Sequence, residues 1–381
     1  MFFRCGRVRG HLSLTASLIV VFWPLLPWAL CAAEADANSP TKTIDLALVD
    51  WSYALVETPD GKEECSLGLQ AGEVAQFKAQ PNYLEHREKF GGTFENRGPI
   101  GEKGNFSPTV VQDPLPWSQL TTKRGFGVNL DGTSDGHATP KSCKHEKFTT
   151  DSGEQVDNQM ARVIGCIQGF RTSGLTGTFY RSEIPNFSVN RHLIEISGVH
   201  NETNDPDVQV SIYKGVDQLV RTAGDVFVPY TSQRIDARFP QFTIRVHGKI
   251  VDGVLITDPV PYARFPIRET SNVGERRIHD LVLRLKLSPL GAEGLLAGYE
   301  DTAAWWNIKS KGVTPELDKY SPAGMYRALQ ENADGYPDPA TGQCSAISAA
   351  YKIKAIPVII VHPVENRPTL ARNANSAASG H

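Results

Sequence analysis

Residues 281–287 constrain the fold of this chain more than any other segment, because leucine occupies every second position there. Alternation with a period of two directs one row of side chains to each face of an extended strand, so this segment predicts a half-buried β-strand. The pattern recurs at residues 208–212 and 242–246, and 33 Gly and 25 Pro residues supply turns between short strands. Repeated short strands of this kind are typical of antiparallel sandwiches and barrels.

We therefore predict a mainly β protein with a few helices (α+β) and an antiparallel β-sandwich or barrel-like core. Further strands are predicted at residues 43–56 and 356–361, and Gly248-Lys249 is interpreted as the turn of a hairpin that continues at residues 250–256. No composition break between the first and last of these strands requires a second domain, so residues 38–363 are predicted to form one domain.

Two helices are predicted beside the strands. Asp157 is interpreted as the N-cap of a helix that ends at Gly169, because apolar residues recur between them at helical spacing. The second helix is predicted to have Ser321 as its N-cap and Pro322 as its first residue. The remainder of residues 175–296 is interpreted as short strands.

The N-terminal segment has the layout of a secretory leader. Arg4, Arg7 and Arg9 precede residues 12–33, which carry no charge, and small residues follow. We predict that residues 1–33 are a signal peptide and that the mature chain begins between Ala32 and Asn38.

Two other interpretations of the leader remain open. The uncharged run is long enough for an uncleaved membrane anchor, although Pro24 and Pro27 interrupt it. Cys31 resembles a lipidation site, although Leu30 is larger than such a site favours. Since no later stretch is long and apolar enough to span a membrane, the mature chain is predicted to be periplasmic or extracellular, without a membrane span.

Charge and motif content exclude several classes of partner. Lys+Arg 39 against Asp+Glu 42 gives a net charge of −3, so the chain lacks the positive excess expected of a nucleic-acid-binding protein. It carries no nucleotide, flavin or haem signature.

Four cysteines remain after the leader: Cys65, Cys143, Cys166 and Cys344. An even number in an exported chain predicts two disulfides, with buried free thiols as the alternative. We predict that Cys143 pairs with Cys166, since the intervening helix allows the chain to fold back, and that Cys65 pairs with Cys344.

Residues 131–136 resemble part of a calcium loop, with aspartate at the first and fifth positions. Ser142 stands where an EF-hand needs a bidentate glutamate, so an EF-hand is excluded. A looser calcium site is predicted from four carboxylates of this region; the alternative is that they are turn and cap residues. The predicted ligands are Asp131, Asp135, Asp151 and Asp157.

A second candidate site follows the last long strand pattern. Trp305 and Trp306 come after Glu300 and Asp301, and aromatic rings beside acids are suited to a sugar ring. The alternative is that one ring belongs to the core and the other anchors a loop.

We interpret the chain as an exported, disulfide-stabilised ligand-binding protein, with carbohydrate as the ligand and calcium as a structural ion. The alternatives are a secreted hydrolase with carboxylate or metal-assisted chemistry near residues 131–159 and a structural envelope protein, so the residues leave open whether the chain is an enzyme. The long irregular segment 81–141 favours the first two, because such loops often carry sites. The tail, residues 364–381, is predicted to be disordered.

Overall fold

The computed structural model describes residues 40–66, 68–69, 108–110, 117–269, 272–310, 320 and 322–363. The predicted signal peptide, the predicted disordered tail and residues 81–107 and 111–116 of the predicted irregular segment lie outside these residues.

The described strands are β1 (Lys42–Tyr53), β2 (Phe148–Thr149), β3 (Gln155–Val156), β4 (His192–Val199), β5 (Asp205–Lys214), β6 (Ser232–Arg234), β7 (Ile244–Val251), β8 (Val254–Thr257), β9 (Val260–Glu269), β10 (Asn272–Ser288), β11 (Gly291–Asp301), β12 (Gly335–Pro337), β13 (Cys344–Pro357) and β14 (Ile359–Val361). The described α-helices are α1 (Gln159–Ile164), α2 (Leu175–Asn186), α3 (Thr302–Lys309) and α4 (Pro322–Glu331). Short 3-10 turns lie at Pro108–Val110, Gln168–Phe170, Ser188–Asn190 and Pro240–Phe242.

Eight strands form a closed antiparallel barrel in the order β1, β4, β5, β7, β8, β10, β11, β13. Closure arises because β1 pairs with β4 along one edge and with β13 along the other. Of the described residues, 43% lie in strands and 18% in helices, so the predicted mainly β class and the barrel-like core are confirmed. The sandwich alternative is wrong, since pairing of β1 with β13 joins the two sheet edges that a sandwich would keep apart.

The barrel interior is filled by the alternating apolar side chains that the sequence pattern predicted. One cluster of buried residues includes side chains from all eight barrel strands, among them Leu283 and Leu285 of β10. In an eight-stranded barrel the interior is just wide enough for such side chains to fill it. Trp51 packs edge-on against Phe265 and Tyr351, with ring centroids 5.1 and 5.7 Å apart.

The two ends of the barrel differ. At the end where β1 and β11 finish, buried residues of the four helices extend the interior cluster. Here α3 follows β11 directly, and the Asp301 side chain caps it by accepting a 2.7 Å hydrogen bond from the Ala304 N–H. The opposite end, where β1 begins, carries the loops after β4, β7 and β10 and is open.

The hairpin between β7 and β8 turns at a different place from the one predicted. Gly248 and Lys249 lie inside β7, and the turn residues are Asp252 and Gly253, with φ of 50° and 72°. Two consecutive positive φ angles define the tight turn that matches strand twist, and Asp-Gly is its preferred sequence.

The predicted helices need three corrections. The first helix, α1, ends at Ile164 with Gly165 as its C-cap, and not at Gly169, which lies in a separate 3-10 turn. Asn158, not Asp157, is the N-cap of α1, because the Asp157 carboxylate instead accepts the Leu130 N–H at 2.7 Å. Residues 175–186, interpreted as strand, form α2 despite Pro185 in its last turn. Pro322 is the first residue of α4, as predicted, while Ser321 lies outside the described residues. Among the described residues, no helix is both long and apolar enough to cross a membrane.

Two disulfides are present, but their predicted pairing is wrong. Cys65 is bonded to Cys166, and Cys143 to Cys344. The prediction assumed that neighbours along the chain would meet; instead Cys143 lies beside the start of β13, where its N–H donates to the Asp334 carbonyl at 2.8 Å. Each bond therefore joins two segments that are distant in sequence. The Cys143–Cys344 bond attaches residues 124–158, which we call the loop layer, to the barrel wall.

Candidate functional site

The structure brings together two of the four carboxylates predicted to bind calcium. Asp131 and Asp157 meet beneath the loop layer, whereas Asp135 and Asp151 are exposed. Asp135 lies 2.6 Å from Nδ1 of His137, and Asp151 faces the Arg124 guanidinium at 4.0 Å. The latter two therefore remain solvated turn residues.

Lys147 supplies a cation to the two buried carboxylates. Its Nζ lies 2.5 Å from Oδ1 of Asp131, 2.6 Å from Oδ1 of Asp157 and 3.0 Å from the side-chain oxygen of Asn129. The side chains of the two aspartates are fully buried, and that of Lys147 is 2% exposed. Burial alone would raise the pKa of Asp131, but the hydrogen bonds from Lys147 and Thr133 lower it below its usual value.

His145 completes one side of the cluster. Its Nε2 lies 2.8 Å from Oδ1 of Asp157, and its Nδ1 lies 2.8 Å from the Cys143 carbonyl oxygen. Burial alone would lower the pKa of His145, but the Asp157 hydrogen bond and the Asp334 charge raise it above its usual value. The imidazole is therefore held by an acceptor on each nitrogen, which favours its protonated form.

Asp334 brings a third carboxylate to the cluster. Its Oδ1 accepts the Ser348 N–H at 2.6 Å, while its Oδ2 lies 3.8 Å from Nε2 of His145 without a hydrogen-bond partner among the described residues. Burial raises the pKa of Asp334 to about 7, against the lowering effect of His145. The Tyr299 hydroxyl is buried nearby, and it too lacks a partner in the described part of the chain.

This buried cluster (Asp131, His145, Lys147, Asp157, Asp334) can hold protons or a cation. Ligand atoms of Asp131, His145 and Asp157 all lie within 4.8 Å of one another, a spacing that one metal ion could bridge. An ion at that point would have to replace the ammonium of Lys147. No side chain of the cluster is more than 5% exposed, so a substrate does not reach it in this conformation.

The residues predicted to bind a sugar lie in the interior of the helix end. Trp305 is 1% and Trp306 9% exposed, and the Trp305 indole donates to the Tyr53 hydroxyl at 2.9 Å. Glu300 is fully buried against Arg276, with Nη1–Oε1 at 2.7 Å. Neither indole offers a face for stacking, because both are buried at the helix end of the barrel. Both rings are therefore core residues, in line with the alternative that assigned one of them to the core.

The open end of the barrel holds a cavity of about 580 Å³. Loops after β4, β7, β10 and β13 surround it, together with the start of β1. Acidic groups of its lining come from Asp45, Glu202 and Asp252, and Lys286 brings a positive charge. Burial raises the pKa of Asp45, although the Ile360 N–H donates to its Oδ2 at 2.8 Å. We call this cavity the barrel mouth.

Tyr230 is an unusual residue of the barrel mouth. Its φ is 58°, a left-handed conformation that is costly for a bulky residue, and its N–H donates to the Pro357 carbonyl at 2.8 Å. Its side chain is nevertheless 61% exposed. The backbone is thus strained and fixed while the aromatic ring faces solvent at the cavity.

Sequence reasoning missed the residues that matter most at both places. Lys147 and Asp334 matched no motif in the sequence, and His145, which faces Asp334, comes from a distant segment of the chain. The barrel mouth had no contiguous signal, since six separate segments form it.

Comparison with known proteins identifies no relative: no family model, no curated protein and no solved structure matches this chain.

Proposed function

We propose that this chain is an exported protein that binds a small polar ligand, a sugar of one or a few rings, in the barrel mouth. The observation that carries this proposal is the cavity of about 580 Å³ at the open end of an otherwise filled barrel. Small-molecule sites commonly have volumes of about 300–1,000 Å³ and often occupy the mouths of barrels. The two disulfides support an oxidising location and hence export.

The chemistry of the lining supports a sugar over a charged nucleotide or a lipid. The carboxylates of Asp45, Glu202 and Asp252 are acceptors for hydroxyl groups, and they repel phosphate. Tyr230 offers an exposed ring held by a strained backbone, and such strain at a cavity is found where a side chain must be presented to a ligand. Tyr230 thus takes the stacking role that the sequence assigned to the two buried tryptophans.

Titration calorimetry with a panel of neutral mono- and disaccharides tests this proposal. Wild-type protein should bind at least one sugar, and Tyr230→Ala should weaken that binding roughly twofold to tenfold, because aromatic stacking contributes about 0.5–1.5 kcal/mol. Thr203→Trp places an indole at an exposed position of the lining and should abolish binding.

Thr178→Trp is the matched control, since Thr178 is exposed on α2 and does not line the barrel mouth. This variant should bind like wild type. Failure of every sugar in the panel to bind, or equal binding by Thr203→Trp and wild type, would contradict the proposal.

A second candidate is binding of a calcium ion in the buried cluster. It is favoured by the convergence of three carboxylates and by the Oδ2 of Asp334, which has no hydrogen-bond partner among the described residues. Calcium prefers oxygen ligands in flexible geometry, so it would use the carboxylates in place of the Lys147 ammonium.

The Lys147→Met variant distinguishes binding of calcium from neutralisation of the cluster by the Lys147 ammonium. If calcium binds the cluster, adding it should raise the melting temperature of Lys147→Met more than that of wild type, and a chelator should reverse the change. Equal melting curves with calcium and with chelator, in both proteins, would exclude the ion.

A further inference from the structure

A second set of buried charges lies at the helix end, separate from both sites above. Glu269 ends β9, Arg276 lies in β10, Glu300 lies in β11 and Lys309 ends α3. Their side chains are at most 2% exposed. Two acids and two bases balance one another, but each ion lost its hydration on folding, which is costly even for a paired charge.

Lys309 contacts Glu269 directly, through Nζ and Oε1. Three aromatic rings surround the same amine: those of Phe170, Trp305 and Tyr53, with centroids 4.7, 5.4 and 5.7 Å from Nζ. The rings exclude water from the pair. Burial of this kind disfavours both ions, and a lysine amine that has given up its proton is a nucleophile.

Arg276 is placed to activate the carboxyl group of Glu269. Its Nη2 lies 3.2 Å from Oε2 of Glu269, and its Nη1 lies 2.7 Å from Oε1 of Glu300. A guanidinium at that distance would stabilise negative charge that develops on the carboxyl oxygen during attack at its carbon. Glu300 would still balance the charge of Arg276 once Glu269 became neutral.

We propose that Lys309 and Glu269 condense to an amide, forming a covalent cross-link between α3 and β9. A proton passes from the ammonium to the carboxylate, and the Nζ lone pair then attacks Cδ of Glu269. The C–N bond forms, the nitrogen passes a second proton to the oxygen that already carries one, the C–O bond to that oxygen breaks, and one water molecule leaves. No oxidant or other reactant is needed, and one buried ion pair is replaced by a neutral group.

The buried cluster provides an internal comparison. Lys147 also contacts carboxylates, but three oxygens, of Asn129, Asp131 and Asp157, hold its ammonium. Because its ammonium is shared among these three oxygens, no single carboxyl carbon is placed for attack, and this lysine should remain unmodified. Condensation is therefore expected at Lys309 and not at Lys147.

Mass spectrometry of the reduced, mature protein, with its N-terminus determined by sequencing, tests the proposal. Wild type should be lighter by one water molecule than its sequence requires. A tryptic digest should contain a branched peptide that joins residues 269–276 to residues 287–311, because trypsin does not cleave after an amidated lysine.

Two variants serve as controls. Lys309→Arg keeps the charge but should have the mass of its sequence, whereas Lys147→Arg should keep the deficit of one water. If Lys309→Arg does not fold, the wild-type peptide map alone decides. The proposal would be overturned by wild-type protein that has the full mass of its sequence and is cleaved by trypsin after Lys309. Lys309 and Glu269 would then form a buried ion pair enclosed by aromatic rings.

Discussion

Lys147 is the residue on which the loop layer depends most, because its ammonium lies within 2.6 Å of two fully buried carboxylates. Neither aspartate can recover hydration without displacing the layer that Cys143 attaches to β13. This region therefore requires a positive charge beside the two aspartates, supplied either by the Lys147 ammonium or by a bound calcium ion.

Replacing Lys147 by methionine should lower the free energy of unfolding by about 3–5 kcal/mol, the cost of leaving a buried charge unpaired. Urea denaturation in the presence of a chelator is the measurement. Lys249→Met is the control, since Lys249 is exposed on β7 and its loss should change the free energy by less than about 0.5 kcal/mol. Equal effects of the two substitutions would argue against the pairing.

Asp334 and His145 should make stability fall as the pH rises. Burial raises the pKa of Asp334 to about 7, so the folded state binds a proton that the unfolded state releases near its ordinary pKa. The raised pKa of His145 acts in the same direction, because its stabilising charge is lost as the pH passes the folded-state value. Between about pH 5 and about pH 8 we expect a loss of roughly 2–4 kcal/mol.

Urea denaturation at several pH values measures this loss, and Asp334→Asn provides the comparison. The variant lacks the titrating carboxyl group, so its stability should vary less over the same range. A wild-type protein that becomes more stable towards pH 8 would show the sign to be wrong.

At the scale of elements, two disulfides join segments that are far apart in the chain. The Cys65–Cys166 bond closes a separation of 101 residues and the Cys143–Cys344 bond one of 201. Removing either pair by double alanine substitution should cost about 2–5 kcal/mol. Since closure entropy grows with the logarithm of loop length, the second bond should contribute about 0.6 kcal/mol more in that model.

Peptide mapping under non-reducing conditions checks the connectivity, and denaturation of the two double variants checks the cost. A linked peptide containing both Cys143 and Cys166 would contradict the structure.

The elements also show which local patterns are reliable. Leu283 and Leu285 face the filled interior, as their alternation indicated, because a strand with one buried face has a single register that buries them. The hairpin was misplaced because Gly248 lies in a strand, while the Asp-Gly pair that makes the turn was passed over. Residues 175–186 carry a weak apolar pattern, and tertiary packing of Tyr180 and Ile184 stabilises them as a helix.

At the scale of the whole molecule, the proposed export joins the predicted leader, the two disulfides and the sugar site proposed at the barrel mouth. A protein that binds a sugar outside the cytoplasm needs a fold that persists without chaperones, and covalent links provide that persistence.

The leader prediction is tested on protein recovered from the extracytoplasmic fraction. Its N-terminus should lie between Ala32 and Asn38, because the uncharged run ends there in small residues. N-terminal sequencing is the measurement. A soluble cytosolic protein that still begins at Met1 would contradict it.

The sequence by itself determined the β class, the strand faces and the presence of four pairable cysteines, because periodicity and residue type are local properties. Only the tertiary structure decided which cysteines meet and that β1 closes the barrel against β13. These outcomes depend on contacts between segments far apart in the chain. The burial of Trp305 and the exposure of Tyr230 likewise follow from how the helices cover one end of the barrel and leave the other open.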